Sequence, residues 1–138
     1  MSYKYSGTAV NKVKMYSHEN FHDALIDRFG DSFRKYRTNW DRAGAAGYLP
    51  EFPLFLDVEP EYRCNLKCTS CVFSIPKDEN PYLNDDQMDL ETFGQICEEG
   101  ARYGLPAIAV SNNNEGLMDK YVFDRIEIAR SNGIMDIF

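Results

Sequence analysis

Residues 52–71 read FPLFLDVEPEYRCNLKCTSC, and this stretch decides the predicted fold. Leu54, Leu56 and Val58 alternate with Phe55, Asp57 and Glu59, which predicts a short strand with one apolar face. Three cysteines follow this strand within a loop. The stretch therefore predicts a strand that leads directly into a loop rich in metal-binding side chains.

Downstream of this loop, helical and strand patterns alternate. We predict a helix capped by Asp89 and running to about Tyr103, a buried strand over 107–110, a helix over 120–130 and a strand over 134–138. The residues predicted to face inward are Leu90, Phe93, Ile96, Cys97 and Ala101 on the first helix and Val122, Phe123, Ile126 and Ala129 on the second. This alternation predicts an α/β fold with a parallel sheet and right-handed crossovers.

Upstream of the strand, the chain divides into two parts. Residues 1–17 are polar and predict a loosely packed tail. From Asn20 to about Gly44 apolar side chains recur at helical spacing, which predicts one helix or a helix pair weakened at Gly30. The predicted apolar face consists of Phe21, Leu25, Phe29, Phe33, Tyr36 and Trp40. We therefore predict an N-terminal extension over 1–50, helical from about 20 to 44, and a core domain over 51–138.

Composition and charge exclude several functions. The chain has 138 residues and a net charge of −7. Residues 1–50 hold 8 Lys/Arg against 5 Asp/Glu, whereas residues 51–138 hold 7 against 17. The excess of acidic residues over 51–138 argues against nucleic-acid binding, which needs clustered cations. No apolar run is long enough to cross a membrane and no secretory signal is evident, so we expect a cytoplasmic protein without disulfides.

The spacing of Cys64, Cys68 and Cys71 allows three thiolates to converge on one centre. Thiolates are natural ligands of iron–sulfur clusters and of zinc. On a 4Fe–4S cube, three thiolates leave one iron open to another ligand. A closed zinc site would need a fourth ligand, for which the candidates are Cys97, His18 and His22. A plain electron-transfer cluster is a further alternative.

The CxxxCxxC loop after a first strand resembles the signature of the radical SAM superfamily. The wider context, from Phe52 to Cys71, resembles the subgroup that often carries a C-terminal SPASM domain. The resemblance implies a partial TIM-type (β/α) barrel and a 4Fe–4S cluster on Cys64, Cys68 and Cys71. It also implies that S-adenosyl-L-methionine binds the open iron and is cleaved reductively to a 5′-deoxyadenosyl radical, which abstracts hydrogen from a substrate.

A second stretch resembles the glycine-rich acidic motif that the superfamily carries after its second strand. It comprises Asn112, Asn113, Asn114 and Glu115, followed by Gly116-Leu117-Met118. The resemblance implies that backbone carbonyls of this loop and the Glu115 carboxylate contact the amino group of S-adenosylmethionine. Three asparagines replace glycines here, and asparagine tolerates the positive φ angles of such a turn.

The sequence thus predicts a radical SAM enzyme with an external one-electron reductant and an unknown peptide or carbohydrate-linked substrate. A full barrel has more units than the three strands and two helices predicted over 51–138, so we expect the N-terminal fragment of a larger enzyme. The alternative is a non-catalytic module that holds a metal or a cluster.

Overall fold

The computed structural model describes residues 18–45, 47–76, 78–80 and 86–138, with side chains described from Phe21 onward. The tail predicted over 1–17 lies outside these residues. Within the described residues, no helix has the length and apolar character needed to cross a bilayer.

Three short parallel strands form the centre of the fold. They are β1 (Leu56–Asp57), β2 (Ala107–Ala109) and β3 (Asp136–Ile137), in the order β1-β2-β3. The predicted α/β class and parallel pairing are therefore confirmed. Each strand is shorter than predicted, but the hydrogen-bond ladder continues beyond them. The Val58 amide donates to the Ala109 carbonyl at 3.1 Å, and the Val110 amide donates to the Phe138 carbonyl at 3.0 Å.

Four α-helices in the described part of the chain pack around the sheet. They are α1 (His18–Phe29), α2 (Asp31–Ala43), α3 (Leu90–Arg102) and α4 (Val122–Ser131). The predicted start of α3 is confirmed, because the Asp89 carboxylate accepts a hydrogen bond from the Thr92 amide at 2.6 Å. Gly104, with a φ of 76°, follows the end of this helix as predicted. A side chain at that position would be strained.

The N-terminal helical stretch is a pair of helices, broken at Gly30, which has a φ of 59°. Phe33 and Tyr36 are buried and pack with Ala107 of the sheet. The two ends of the predicted apolar face are less covered, since Phe21 is 50% exposed and Trp40 is 41% exposed. The pair therefore covers one face of the sheet with the middle of its apolar stripe.

The strand register separates two apolar clusters. Leu56 and Ile137 lie beside Ile108 and pack with α3 and α4 in the larger cluster. Ala107 points to the opposite face and packs with α2. Alternate strand residues point to opposite faces of a sheet, so the sheet is covered by α3 and α4 on one face and by α1 and α2 on the other.

The prediction that Phe123 faces the core is wrong, because this side chain is 74% exposed while Arg125 is completely buried. The Arg125 Nε atom lies 2.7 Å from Asp119 Oδ2, and its guanidinium also donates to the carbonyls of Met88 and Asp89. Its guanidinium carbon lies 5.3 Å from the centre of the Phe93 ring. Apolar periodicity alone does not predict a buried ion pair, which here joins residues six apart and is completed by carbonyls 36 and 37 residues away.

Candidate functional site

The loop after β2 contacts the segment that leads from β1 towards the cysteines, so these two loops begin at the same edge of the sheet, as the sequence predicts. The Asn112 side-chain amide donates to Asp57 Oδ2 at 2.6 Å. The backbone amides of Asn112 and Asn113 both donate to Glu59 Oε1, at 2.9 and 2.6 Å. Open α/β sheets bind ligands at this edge, so the two chemically distinctive loops lie where a ligand is expected.

The contacts between these loops have a regular register. Asn112 contacts Asp57, Asn113 contacts Glu59, and Asn114 donates its side-chain amide to the carbonyl of Glu61. We call these three contacts the asparagine ladder. Residues 57, 59 and 61 are two apart, and in extended backbone such residues lie on one side. Sequence reasoning missed the ladder, although the alternating acids and the run of asparagines carry its signal.

Asn114 is bonded at both ends of its side-chain amide. Its Oδ1 atom accepts a hydrogen bond from the Ser111 hydroxyl, while its Nδ2 atom donates to the Glu61 carbonyl. The side chain therefore joins its own loop to the chain that leads into the cysteines. Glycine at this position could make neither of these side-chain contacts.

We call the loop over residues 111–116 the asparagine loop. Glu59 holds this loop through one carboxylate oxygen, and its other carboxylate oxygen has no hydrogen bond in the described part of the chain. Its Oε1 atom accepts three N–H groups, from Asn112 N, Asn113 N and Asn113 Nδ2. Its Oε2 atom is buried and has no hydrogen-bond partner among the described residues. A buried polar atom without a partner is costly, so Oε2 of Glu59 is an acceptor that the described residues leave unused.

Glu61 anchors the approach to the first cysteine. Its carboxylate is completely buried and accepts hydrogen bonds from Arg63 N, Nε and Nη2 at 3.0, 2.9 and 2.6 Å. The side-chain hydrogen bond from Arg63 lowers the pKa of Glu61 from its usual value. On the other side, the Met88 amide donates to the Pro60 carbonyl at 2.8 Å. The chain is therefore held firmly immediately before Cys64.

The cysteine loop itself is open to solvent. Cys68 is exposed, Cys64 and Cys71 are half-buried, and all are free thiols. A turn forms between the last two, since the Cys71 amide donates to the Cys68 carbonyl at 3.1 Å. The Ser74 hydroxyl donates to the same carbonyl at 2.7 Å. These bonds bring the chain back on itself between the second and third thiols.

The three loop thiols suit a thiolate-ligated group in their chemistry but are not gathered into a ligand set. Among the described residues, no three His, Cys, Asp or Glu side chains are grouped closely enough to hold a metal ion. Thiolate is the preferred ligand of iron–sulfur clusters. Binding a cluster would therefore require the loop between Cys64 and Cys71 to draw its sulfur atoms together.

Other residues singled out in the sequence have local roles. Glu115 is half-buried and accepts a hydrogen bond from the Leu117 amide at 3.3 Å, capping a short helical turn over Gly116–Met118. His22 lies edge-on to the Phe33 ring, with the ring centres 5.9 Å apart. The side chain of His18 lies outside the described residues.

Burial in the apolar core distinguishes Cys97 from the three thiols of the cysteine loop. Its side chain is completely buried in the larger apolar cluster. This burial raises the pKa of the Cys97 thiol to about 11. Metal ligation uses the thiolate, so Cys97 is poorly suited to supply the fourth ligand of a zinc site.

The four thiols should therefore differ sharply in reactivity. With a pKa of about 11, only about one Cys97 in a thousand is ionised near pH 8, and burial blocks reagent access as well. A thiol-specific disulfide reagent should modify three cysteines rapidly in the reduced native protein and the fourth only after denaturation. Rapid modification of all four would show that Cys97 is accessible.

Replacing Asn114 with alanine should cost about 1–2 kcal/mol of unfolding free energy, because the Glu61 carbonyl loses a partly buried donor. Asn112→Ala is the matched control, since its side-chain bond to Asp57 is exposed. We expect the control to cost about 0.5 kcal/mol. Urea denaturation measures the unfolding free energy of both variants. An equal loss of unfolding free energy in the two would contradict the importance of the Asn114 contact.

The fold and the site define an α/β protein whose parallel sheet carries a cysteine loop and an asparagine loop at one edge. Comparisons of the chain with protein-family models, curated proteins and solved structures find no match. The function must therefore be argued from the residues of the site.

Proposed function

We propose that this chain is the cluster-binding and S-adenosylmethionine-binding part of a radical SAM enzyme, and that its sheet belongs to a partial TIM-type barrel. One observation carries the proposal. A CxxxCxxC loop with free thiols follows β1, and the loop after the neighbouring parallel strand is hydrogen-bonded to the same segment.

In this function, Cys64, Cys68 and Cys71 hold a 4Fe–4S cluster as thiolates. When bound, the cluster supplies the electron that cleaves S-adenosylmethionine reductively. The Glu61–Arg63 pair precedes Cys64 and fixes one end of the loop, while the turn between Cys68 and Cys71 shapes the other end. The loop between these anchors is exposed and has room to close around the cluster.

The asparagine loop supplies acceptors for the amino group of S-adenosylmethionine. Glu115 is the acidic residue of the motif, and a carboxylate forms a strong charge-assisted hydrogen bond with an ammonium group. Glu59 adds a buried oxygen that lacks a donor. The asparagine ladder holds the backbone of residues 112–114 against β1 and thereby orients its carbonyl groups.

Reconstitution under anaerobic conditions tests the proposal. Adding iron and sulfide to the full chain should give a brown protein with about four irons per chain. After reduction, its electron paramagnetic resonance signal should change when S-adenosylmethionine is added. A colourless protein that retains zinc instead of iron would contradict the proposal.

The reaction products separate an enzyme from a binding module. Reduced protein with a one-electron donor should convert S-adenosylmethionine to 5′-deoxyadenosine and methionine, which chromatography detects. If the cluster and S-adenosylmethionine both bind but no 5′-deoxyadenosine forms, the chain is a non-catalytic module. The peptide or carbohydrate-linked nature of the substrate is a separate question.

A further inference from the structure

A cleft of about 280 Å³ lies between α2 and the carboxyl edge of the sheet, beside the asparagine loop. Its walls include Tyr36 and Trp40 from α2, Phe55 before β1 and Phe138 after β3. Ligands of α/β proteins bind beyond the carboxyl ends of the strands. The cleft therefore occupies a position where a small molecule is expected, and α2 of the N-terminal extension forms one wall.

The aromatic rings of this cleft form a continuous edge-to-face series. The ring centres of Tyr36 and Trp40 are 6.1 Å apart, those of Trp40 and Phe55 are 6.3 Å apart, and those of Phe55 and Phe138 are 5.8 Å apart. Trp40 is 41% exposed and Phe138 is 62% exposed. Rings held by one another, yet partly exposed, offer surfaces against which another planar ring can pack.

Arg37 is the charged residue of the lining. Its guanidinium carbon lies 5.5 Å from the Tyr36 ring centre and 5.6 Å from the Trp40 ring centre. Burial and the nearby Asp136 carboxylate raise the pKa of Tyr36, while the Arg37 guanidinium opposes this rise, so the three groups lie close together. Among the described residues, ion pairs engage other arginines, at positions 34, 63, 125 and 130. Arg37 is in none of these ion pairs, and it interacts electrostatically with the buried Asp136 carboxylate.

The side chains that line the cleft beside Arg37 are uncharged, and the buried Asp136 carboxylate, which acts electrostatically on Arg37, lies outside the lining. Ser111 and Asn112 line it with neutral side chains. The nearby Asp57 carboxylate is not part of the lining and accepts a hydrogen bond from Asn112 at 2.6 Å. A guanidinium has five N–H donors, so Arg37 can donate to an anionic group in the cleft.

We propose that this cleft binds a planar aromatic group that carries a negative charge, with the ring against Trp40 and Phe55 and the anion on Arg37. As a substrate subsite beside the asparagine loop, it rests on the proposed function. As a binding site, it stands on its own geometry and can be tested on protein that contains no cluster. If the cleft binds no such group, the outcome of the reconstitution experiment does not change. If reconstitution fails, binding at the cleft can still be measured.

The fluorescence of Trp40 provides the measurement, because this residue is the only tryptophan of the chain. Phenylacetate, neutral phenylacetamide and cationic phenethylamine serve as probes of one shape and three charges. For so small a probe we expect phenylacetate to bind with a Kd on the order of 1 mM. The amide and the amine should bind at least about tenfold more weakly, because they lose the charge-assisted bond.

Arg37→Gln should weaken phenylacetate binding about tenfold and remove the preference for the anion. Arg34→Gln is the matched control, since Arg34 lies on the same helix, is 63% exposed at its side chain and pairs with Asp31. This variant should bind phenylacetate as the unmodified protein does. Far-ultraviolet circular dichroism verifies that both variants keep their helices.

Three results would overturn the proposal. One is the absence of any fluorescence change with phenylacetate in the unmodified protein. Another is equal or tighter binding of the amine, which would show that carboxylates dominate the cleft. The third is an unchanged affinity in folded Arg37→Gln. The comparison of the three probes needs no variant, so it tests the preference of the cleft for an anion even if Arg37→Gln fails to fold.

Discussion

Replacing Cys68 with alanine is expected to reduce the iron bound after reconstitution from about four per chain to nearly none. Two remaining loop thiolates would leave two irons of the cube without protein ligands, so the cluster would not persist. Because Cys68 is exposed, its loss removes little packing, and the helical content should not change. Colorimetric iron analysis and electron paramagnetic resonance measure the first effect, and circular dichroism measures the second.

Cys97→Ala provides the matched control for this experiment. It also removes one of the four thiols, but from the apolar core. We expect unchanged iron content and a loss of about 1 kcal/mol in unfolding free energy from the small cavity. Iron at the unmodified level in Cys68→Ala would show that the ligand assignment is wrong. Iron loss in Cys97→Ala, with the fold intact, would implicate the buried thiol instead.

The second large effect concerns stability. Asp119→Ala should cost about 3–5 kcal/mol, because it leaves the buried guanidinium of Arg125 without its counterion. Gln87 also loses a partner, since its side-chain amide donates to Asp119 at 2.8 Å. A small domain has a total stability of about 5–15 kcal/mol. The variant should therefore unfold at a much lower urea concentration, or fail to fold at 37 °C.

Two further variants identify the cause of this loss. Glu127→Ala removes an exposed ion pair, with 3.7 Å between Arg130 and Glu127, and should cost at most about 1 kcal/mol. The double variant Asp119→Leu/Arg125→Met replaces the buried pair with apolar side chains and should recover much of the stability. Equal losses of unfolding free energy in Asp119→Ala and Glu127→Ala would show that the buried pair stabilises the fold no more than the exposed pair does.

Much of the fold follows from local patterns in the chain. The alternation of strand and helix predicts the parallel sheet, Asp89 predicts the start of α3, and Gly104 predicts its end. Each prediction depends on residues within a few positions of one another, where propensity, capping and positive φ act directly. The position of the two distinctive loops at one edge also follows, because parallel strands share their carboxyl ends.

The predictions that failed or stopped short depend on which surfaces and polar groups meet in the folded chain. Phe123 was expected in the core, but Arg125 is buried there because Asp119 and the carbonyls near residue 88 lie within its reach. The N-terminal apolar stripe is covered only at its centre. How much of a helix face is buried depends on the surface it meets, which its own periodicity does not specify.

The candidate site also combines features that the sequence predicts with features that only the folded structure reveals. The chain by itself determined which chemistry is present: three thiols at CxxxCxxC spacing, a run of asparagines with an acid, and the strands that bring them to one edge. Only the tertiary structure decided that the asparagine side chains bond to residues 57, 59 and 61, and that Phe55 and Phe138 complete the cleft beside Arg37. Local propensities act between neighbours in the chain, whereas the asparagine contacts form only after folding brings segments more than fifty residues apart within hydrogen-bonding distance.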